Sequence, residues 1–78
     1  MLRADTNRTL DVLLGERLRA LRQQGNHSVM KMALTAECSP TVYASVERGQ
    51  VRIRAEQLIM LSQVLGVPVS VFYVGLLD

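Results

Sequence analysis

Apolar and polar residues follow each other along most of the chain at the three-to-four-residue spacing of amphipathic α-helices. The first such segment predicts a helix from about Leu10 to Gln24, with Asn7 or Thr9 as its N-cap. Gly25 and Asn26 both tolerate the left-handed conformation of a helix end, so we expect the helix to stop there. The inner face of this helix carries four leucines, Leu10, Leu14, Leu18 and Leu21.

Two shorter helices follow, joined by a tight turn. Ser28 is a good N-cap for a helix from Val29 to about Ala36, and Ser39 caps a third helix that begins with Pro40. Proline is tolerated there because the first turn of a helix leaves its N–H groups unpaired. Gly49 predicts the end of the third helix. This arrangement over residues 28–49 is typical of a helix-turn-helix, which lays its second helix into the major groove of DNA.

The remainder of the chain predicts one more clear helix and one ambiguous segment. Residues 50–54 are interpreted as an extended loop, and a fourth helix is expected from about Ala55 to Leu65, where Gly66 stops it. Pro68 opens a short fifth helix that runs to about Tyr73. The segment VPVSVFYV is also β-branched and alternating, so a strand is the alternative there.

A few residues receive a structural interpretation. Gly15 lies inside the first helix at a cost of about 1 kcal/mol relative to alanine, which predicts close packing against another helix. Tyr43 is expected to fill the core, and Cys38 is expected to be a packed, unreactive thiol. His27 is expected to pack against Met32 in front of the second helix.

The composition fits one small domain over residues 1–78. Hydrophobic residues make up 49% of the chain and charged residues 21%, which excludes a disordered segment. A single cysteine cannot form an internal disulfide, and no apolar run approaches the roughly 20 residues that span a bilayer. The first residues lack the apolar stretch of a signal peptide. We therefore expect a cytoplasmic protein.

The positive charge is distributed unevenly. The net charge is only +2, but almost all of the positive charge is arginine, and Lys31 is the only lysine. Arg48, Arg52 and Arg54 gather just after the third helix. The planar guanidinium fork suits phosphate better than an ammonium group does, so this cluster favours a nucleic-acid partner.

Catalysis has no support in the chain. There is no nucleophile–base–acid set and no glycine-rich loop to hold a phosphate. One histidine and one cysteine cannot supply the four ligands of a usual zinc site. We therefore expect no enzyme activity, no metal and no cofactor.

An ordered set of short motifs resembles the Xre family of helix-turn-helix regulators, the phage repressor and Cro type. The motifs are LGERLRALR at 14–22, Ser28 and Ala33, Ser39, VERG at 46–49 and LGV at 65–67. They match without gaps from Leu14 to about Tyr73. The resemblance implies an all-α, five-helix bundle of the phage-repressor DNA-binding type, with the helix-turn-helix at about 28–49, in a bacterial or phage protein.

The resemblance also implies an ion pair between Arg22 and Glu47. Glu47 lies next to Tyr43 and Val46, which are expected to face inward, and a carboxylate there needs a partner. We predict a partly buried pair.

Four residues depart from the family pattern. Val29 replaces a glutamine that touches a DNA phosphate, and Lys31 replaces a capping-box glutamate. Glu37 replaces a turn glycine, which predicts a positive φ at a cost of about 1 kcal/mol. Arg54 replaces the Ser or Thr that caps the fourth helix. We expect the fold to survive and the DNA contact at the second helix to weaken.

The resemblance places base-edge contacts on Pro40, Thr41 and Ser45. None of these is the Arg, Asn, Gln or Lys that discriminates G or A strongly, so base readout is expected to be modest. Affinity would then come mainly from arginines on phosphates. The predicted DNA-binding residues are Ser39, Pro40, Thr41, Val42, Ala44, Ser45, Arg48, Arg52 and Arg54.

The leading hypothesis is a DNA-binding transcriptional regulator that acts as a homodimer on double-stranded DNA. The C-terminal segment holds more apolar residues than so small a core can hide, which predicts an interface. The alternative is a protein-interaction adaptor, antitoxin or antagonist that keeps the fold with weakened DNA binding. The predicted dimer residues are Val69, Val71, Phe72, Val74, Leu76 and Leu77.

Overall fold

A computed structural model describes the backbone of residues 2–75 and the side chains of residues 9–75. Within this range the all-α prediction is confirmed, and the described residues contain no strand. No helix there is long and apolar enough to cross a bilayer. The elements are α1 (Leu2–Gln24), α2 (Val29–Thr35), α3 (Pro40–Glu47), α4 (Ala55–Leu65) and one turn of 3-10 helix (Val69–Phe72).

Two predictions about these elements were wrong. Helix α1 begins at Leu2, so Asn7 and Thr9 lie inside the helix and neither residue caps it. The residues before Leu10 contain no glycine or proline that would interrupt a helix, and the helix continues through them. The five-helix count is not matched, because the short fifth helix expected from Pro68 to about Tyr73 is only a single 3-10 turn, Val69–Phe72, after the four α-helices of the described residues. The two valines of this turn are poor helix formers, which is consistent with one short turn.

The four α-helices of the described chain end in the same hydrogen-bonded motif. A residue just beyond each helix is left-handed: Asn26 and Glu37 have φ of 58°, Gly49 has 76° and Gly66 has 71°. After α2, the Glu37 N–H donates to the Leu34 carbonyl at 3.2 Å and the next N–H donates to the Ala33 carbonyl at 3.0 Å. This is the Schellman arrangement. The predicted positive φ of Glu37 is confirmed.

Serine and glutamine side chains satisfy the exposed N–H groups where helices begin. Ser28 Oγ accepts from the Lys31 N–H at 3.0 Å, as the sequence predicted. At α4, Gln57 Oε1 accepts from the Arg54 N–H at 3.0 Å. The same amide donates through Nε2 to the Ala36 carbonyl at 3.0 Å. Gln57 therefore fixes the start of α4 against the end of α2, although Arg54 supplies no cap of its own.

One apolar core joins all the elements. Tyr43 fills it with no exposed surface, as predicted. Phe72 is also fully buried, so its predicted role at a dimer interface was wrong: the side chain packs within the protomer. The buried apolar residues are Leu18, Met32, Ala33, Ala36, Tyr43, Val46, Ile53, Leu58, Leu61 and Phe72.

Helix α1 crosses the end of α3 at a point where no side chain fits. A Cβ on Gly15 would overlap the backbone carbonyls of Val46 and Glu47. A Cβ on Gly49 would lie 2.6 Å from the Cα of Val12. The close packing that Gly15 predicted is confirmed. It holds the inner side of α3 against α1 and leaves its other side exposed.

Candidate nucleic-acid interface

Three predicted contact residues form one stripe along the outer face of α3. Tyr43 and Val46 mark the inner face, with exposures of 0% and 5%. At about 100° per residue, Thr41, Ser45 and Arg48 lie on the opposite side of the helix. The structure therefore brings these three side chains together on the outer face of α3, where Thr41 and Arg48 are exposed and Ser45 is half-buried.

A chain of hydrogen bonds runs along this stripe. Arg48 Nη2 donates to Ser45 Oγ at 3.2 Å, and Ser45 Oγ donates to the Thr41 carbonyl at 3.0 Å. Arg48 Nε donates to Gln50 Oε1 at 3.3 Å. Two side chains thus hold Arg48 over the end of α3. The sequence did not predict this network. A serine inside a helix can donate to the carbonyl four residues earlier whatever residue carries that carbonyl, so no residue type at position 41 signals the bond.

The beginning of α3 presents a small, mixed surface. Ser39, Pro40 and Thr41 are exposed, and Val42 is 42% exposed. Ser39 Oγ accepts from the Val42 N–H at 3.1 Å, so this hydroxyl serves as the helix cap. Ala44 is half-buried at the side of the helix.

Two of the predicted phosphate-binding arginines extend from the loop after α3. Arg52 Nε lies 3.2 Å from Asp11 Oδ1 on α1, and the Arg52 side chain is still 59% exposed. Arg54 Nε lies 3.6 Å from Glu56 Oε1, with both side chains largely exposed. Sequence reasoning missed Asp11, because nothing local connects two residues 41 positions apart.

A buried ion pair locks α3 to α1. Arg22 Nε donates to Glu47 Oε2 at 2.7 Å, and Nη2 donates to Oε1 at 3.1 Å. The two side chains are only 15% and 7% exposed. Arg22 Nη1 also donates to the His27 carbonyl at 3.3 Å, which adds the turn before α2 to the same cluster. The hydrogen bond to Glu47 raises the pKa of Arg22.

The Tyr43 hydroxyl is buried beside this pair. Its Oη has no hydrogen-bond partner among the described residues. Burial strongly raises the pKa of Tyr43, and the nearby Glu47 carboxylate adds to the effect by opposing a second negative charge.

The predicted dimer segment is partly anchored and partly exposed. Arg17 Nη1 donates to the Val71 carbonyl at 3.1 Å, which ties the 3-10 turn to α1. Val71 is half-buried, Val69 is 36% exposed and Val74 is 65% exposed. Leu76 and Leu77 lie outside the described residues. A groove of about 370 Å³ runs between α1 and this segment, lined by Arg17, Ala20, Leu21, Val71 and Val74.

Reactive groups are sparse on the described chain. Among residues whose side chains are described, no three His, Cys, Asp or Glu side chains are grouped as a metal site requires. Cys38 is half-buried at the edge of the core, and burial raises the pKa of its thiol. A raised thiol pKa disfavours the reactive thiolate, in agreement with a packing role.

A family model described as a helix-turn-helix domain matches residues 13–71, a range that includes the C-terminal ends of the four described α-helices and the outer stripe of α3. The chain belongs to this helix-turn-helix family. The match agrees with the resemblance to Xre-type regulators in the sequence motifs. The chain is also similar to the crystal structure of the clp gene regulator ClgR from C. glutamicum. That similarity has a TM-score of 0.76 at 25% identity, over 86% of this chain and 87% of that chain. No curated protein sequence matches the chain.

Proposed function

We propose that the protein is a DNA-binding transcriptional regulator that acts as a homodimer, with α3 in the major groove. The observation that carries the proposal is the outer stripe of α3, because Thr41, Ser45 and Arg48 share the face opposite the core. Membership of the helix-turn-helix family supports DNA as the partner. The similar ClgR structure is described as a gene regulator, which supports a regulatory role.

The surface divides into a part that contacts bases and a part that contacts the backbone. Thr41 and Ser45 offer hydroxyls to base edges, and Pro40, Val42 and Ala44 offer apolar contact to thymine methyl groups. Arg52 and Arg54 are exposed beyond α3. In the proposed complex their guanidinium groups contact phosphates. Each phosphate neutralised releases counterions, so most of the affinity should depend on salt.

The homodimer rests on the C-terminal segment. Val69 and Val74 remain exposed after the protomer has folded, and Val74 lines the groove beside α1. Exposed apolar surface that borders a groove is typical of an interface. Two copies related by a twofold axis would place their α3 helices on half-sites about 34 Å apart.

Selection of bound genomic DNA fragments by the purified protein, followed by titration of the best fragment at several salt concentrations, tests the proposal. We expect saturable binding that weakens steeply with salt. Replacing both Arg52 and Arg54 with alanine should make the negative slope of log K against log salt shallower by about 2 per protomer. Arg19→Ala is the control, since Arg19 is exposed on α1 and lies outside the predicted contact set. Binding that does not depend on salt concentration, or an unchanged slope in the double variant, contradicts the proposed phosphate contacts of Arg52 and Arg54.

A second candidate function is a protein-interaction adaptor. Met30 and Leu34 are 58% and 71% exposed, and their i, i+4 spacing places them on one face of α2. Such a pair is suited to a partner protein. Co-purification with a protein partner, together with no retention on any genomic fragment, would favour the adaptor over the regulator.

A further inference from the structure

Ser45 occupies the centre of the outer stripe of α3, and its hydroxyl already takes part in two hydrogen bonds. A serine hydroxyl has one proton to donate and two lone pairs to accept with. Serine therefore ordinarily contacts either donors or acceptors on base edges and carries little sequence information. The state of this one proton determines which bases Ser45 can read.

The hydrogen-bond chain along α3 assigns that proton. Ser45 Oγ donates to the Thr41 carbonyl at 3.0 Å, which uses the only proton. Arg48 Nη2 donates to the same oxygen at 3.2 Å, which uses one lone pair. Gln50 holds the Arg48 guanidinium through Nε at 3.3 Å, so the donor to Ser45 is itself fixed. One lone pair remains, and the hydroxyl presents an acceptor only.

We infer that Ser45 is a specificity-determining residue that accepts a hydrogen bond from an exocyclic amine in the major groove. The inference rests on the proposed DNA-binding function. In that groove the amines are N4 of cytosine and N6 of adenine, whereas guanine and thymine present the carbonyls O6 and O4. Arg48 and Gln50 act as positioning residues, because they fix which lone pair of Ser45 is free.

Transition substitutions in the selected site provide a direct test. Exchanging C·G for T·A, or A·T for G·C, replaces an amine with a carbonyl at the same location in the groove. At one position in each half-site, we expect the wild-type protein to bind the amine base about five- to tenfold more tightly than its transition. Ser45→Ala should reduce that ratio to within about twofold while the ratios at other positions stay unchanged.

Two further variants separate the network from a general loss of structure. Thr35→Ala is the matched control, because Thr35 Oγ1 makes the same i to i−4 bond to the Lys31 carbonyl, at 2.9 Å, on α2. It should leave every ratio at the wild-type value. Arg48→Ala removes the fixed donor, so the Ser45 hydroxyl can rotate away from the Thr41 carbonyl and donate to a base. The variant should therefore weaken the amine preference along with the overall affinity.

The outcomes are distinguishable. Saturable binding with a carbonyl preference at the Ser45-dependent position overturns the inference. Saturable binding with no ratio that changes on Ser45→Ala does so as well, and both leave DNA binding intact. No saturable binding to any fragment overturns the proposed function and the inference together.

Discussion

Glu47 lies in the last turn of α3 next to the buried Val46, and both of its carboxylate oxygens accept from Arg22. The bidentate geometry is available because a guanidinium presents two parallel donors, which a lysine in place of Arg22 could not supply. The pair costs desolvation on both sides, so its worth lies in fixing α1 against α3. The pair thereby fixes the orientation of α3, and of its outer stripe, relative to α1.

Arg22→Met should therefore destabilise the protein strongly. The variant leaves the Glu47 carboxylate buried without its partner, at a cost of about 3 kcal/mol in the free energy of unfolding. Urea denaturation of the two single variants and of the double variant Arg22→Met with Glu47→Leu measures the coupling. The double variant should recover most of the loss, since no unpaired charge remains. Additive losses would contradict the pairing.

The buried Tyr43 phenol should make the stability of the folded protein depend on pH in the alkaline range. Its raised pKa means that the folded protein keeps the phenol proton after the unfolded chain, with a pKa near 10, has lost it. The stabilisation is therefore complete below about pH 10, and stability falls above it by up to about 1.4 kcal/mol per pH unit.

Tyr43→Phe should remove this alkaline component and cost little at neutral pH, because the hydroxyl has no partner among the described residues. Thermal melts between pH 8 and pH 11 measure the difference. Tyr73→Phe is the control, since Tyr73 is 39% exposed. An unchanged alkaline slope in Tyr43→Phe would show that another group is responsible.

The close crossing of α1 and α3 requires a residue without a side chain at position 15. Gly15→Ala gains about 1 kcal/mol of helix propensity, but the new Cβ would overlap the Val46 and Glu47 carbonyls. The overlap involves backbone atoms, so the helices must separate, and we expect a net destabilisation of about 1–3 kcal/mol. Glu16→Ala changes the next, exposed position and should be nearly neutral. A stabilised Gly15→Ala protein would contradict the observed crossing.

The turn between α2 and α3 stores strain at Glu37. A non-glycine residue at φ of 58° costs on the order of 1 kcal/mol, and the Glu37 side chain is exposed. Glu37→Gly should raise the free energy of unfolding by about 0.5–1 kcal/mol, because glycine adopts this conformation without strain. Glu37→Ala keeps the strain and provides the comparison in the same denaturation experiment. Equal stability of the glycine and alanine variants would refute the strain.

At the scale of the whole molecule, the dimer proposal depends on the exposed valines of the C-terminal segment. Val74→Asp places a charge on a side chain that is 65% exposed in the protomer, so it should disrupt association without unfolding the protein. Leu34→Asp is the matched control, at 71% exposure on α2. Sedimentation at tens of micromolar should show a dimer for the wild type and for Leu34→Asp, and a monomer for Val74→Asp. A wild-type monomer at that concentration would contradict the proposal.

The sequence determined the elements that depend on neighbouring residues. Capping serines, a proline in a first turn and residues that tolerate positive φ act within a few positions, so α2, α3 and α4 could be placed nearly to the residue. Glu37 is the exception, because its positive φ was predicted from the resemblance to a family with a turn glycine there and not from the residue itself. The same local rules could not place the beginning of α1, where no breaker residue interrupts the helix.

Only the tertiary structure decided which residues from distant parts of the chain contact each other. Phe72 belongs to the core rather than to an interface because α1 and α4 each pack against the 3-10 turn that carries it. Arg52 meets Asp11 because α1 passes the loop after α3. Gly15 required a close neighbour, but its position alone could not name α3. Likewise, the direction in which the Ser45 hydroxyl donates its proton follows from the folded position of the Arg48 side chain and could not be inferred from the sequence. Local conformation follows from short-range sterics and hydrogen bonds, whereas contacts between distant residues depend on how the helices pack.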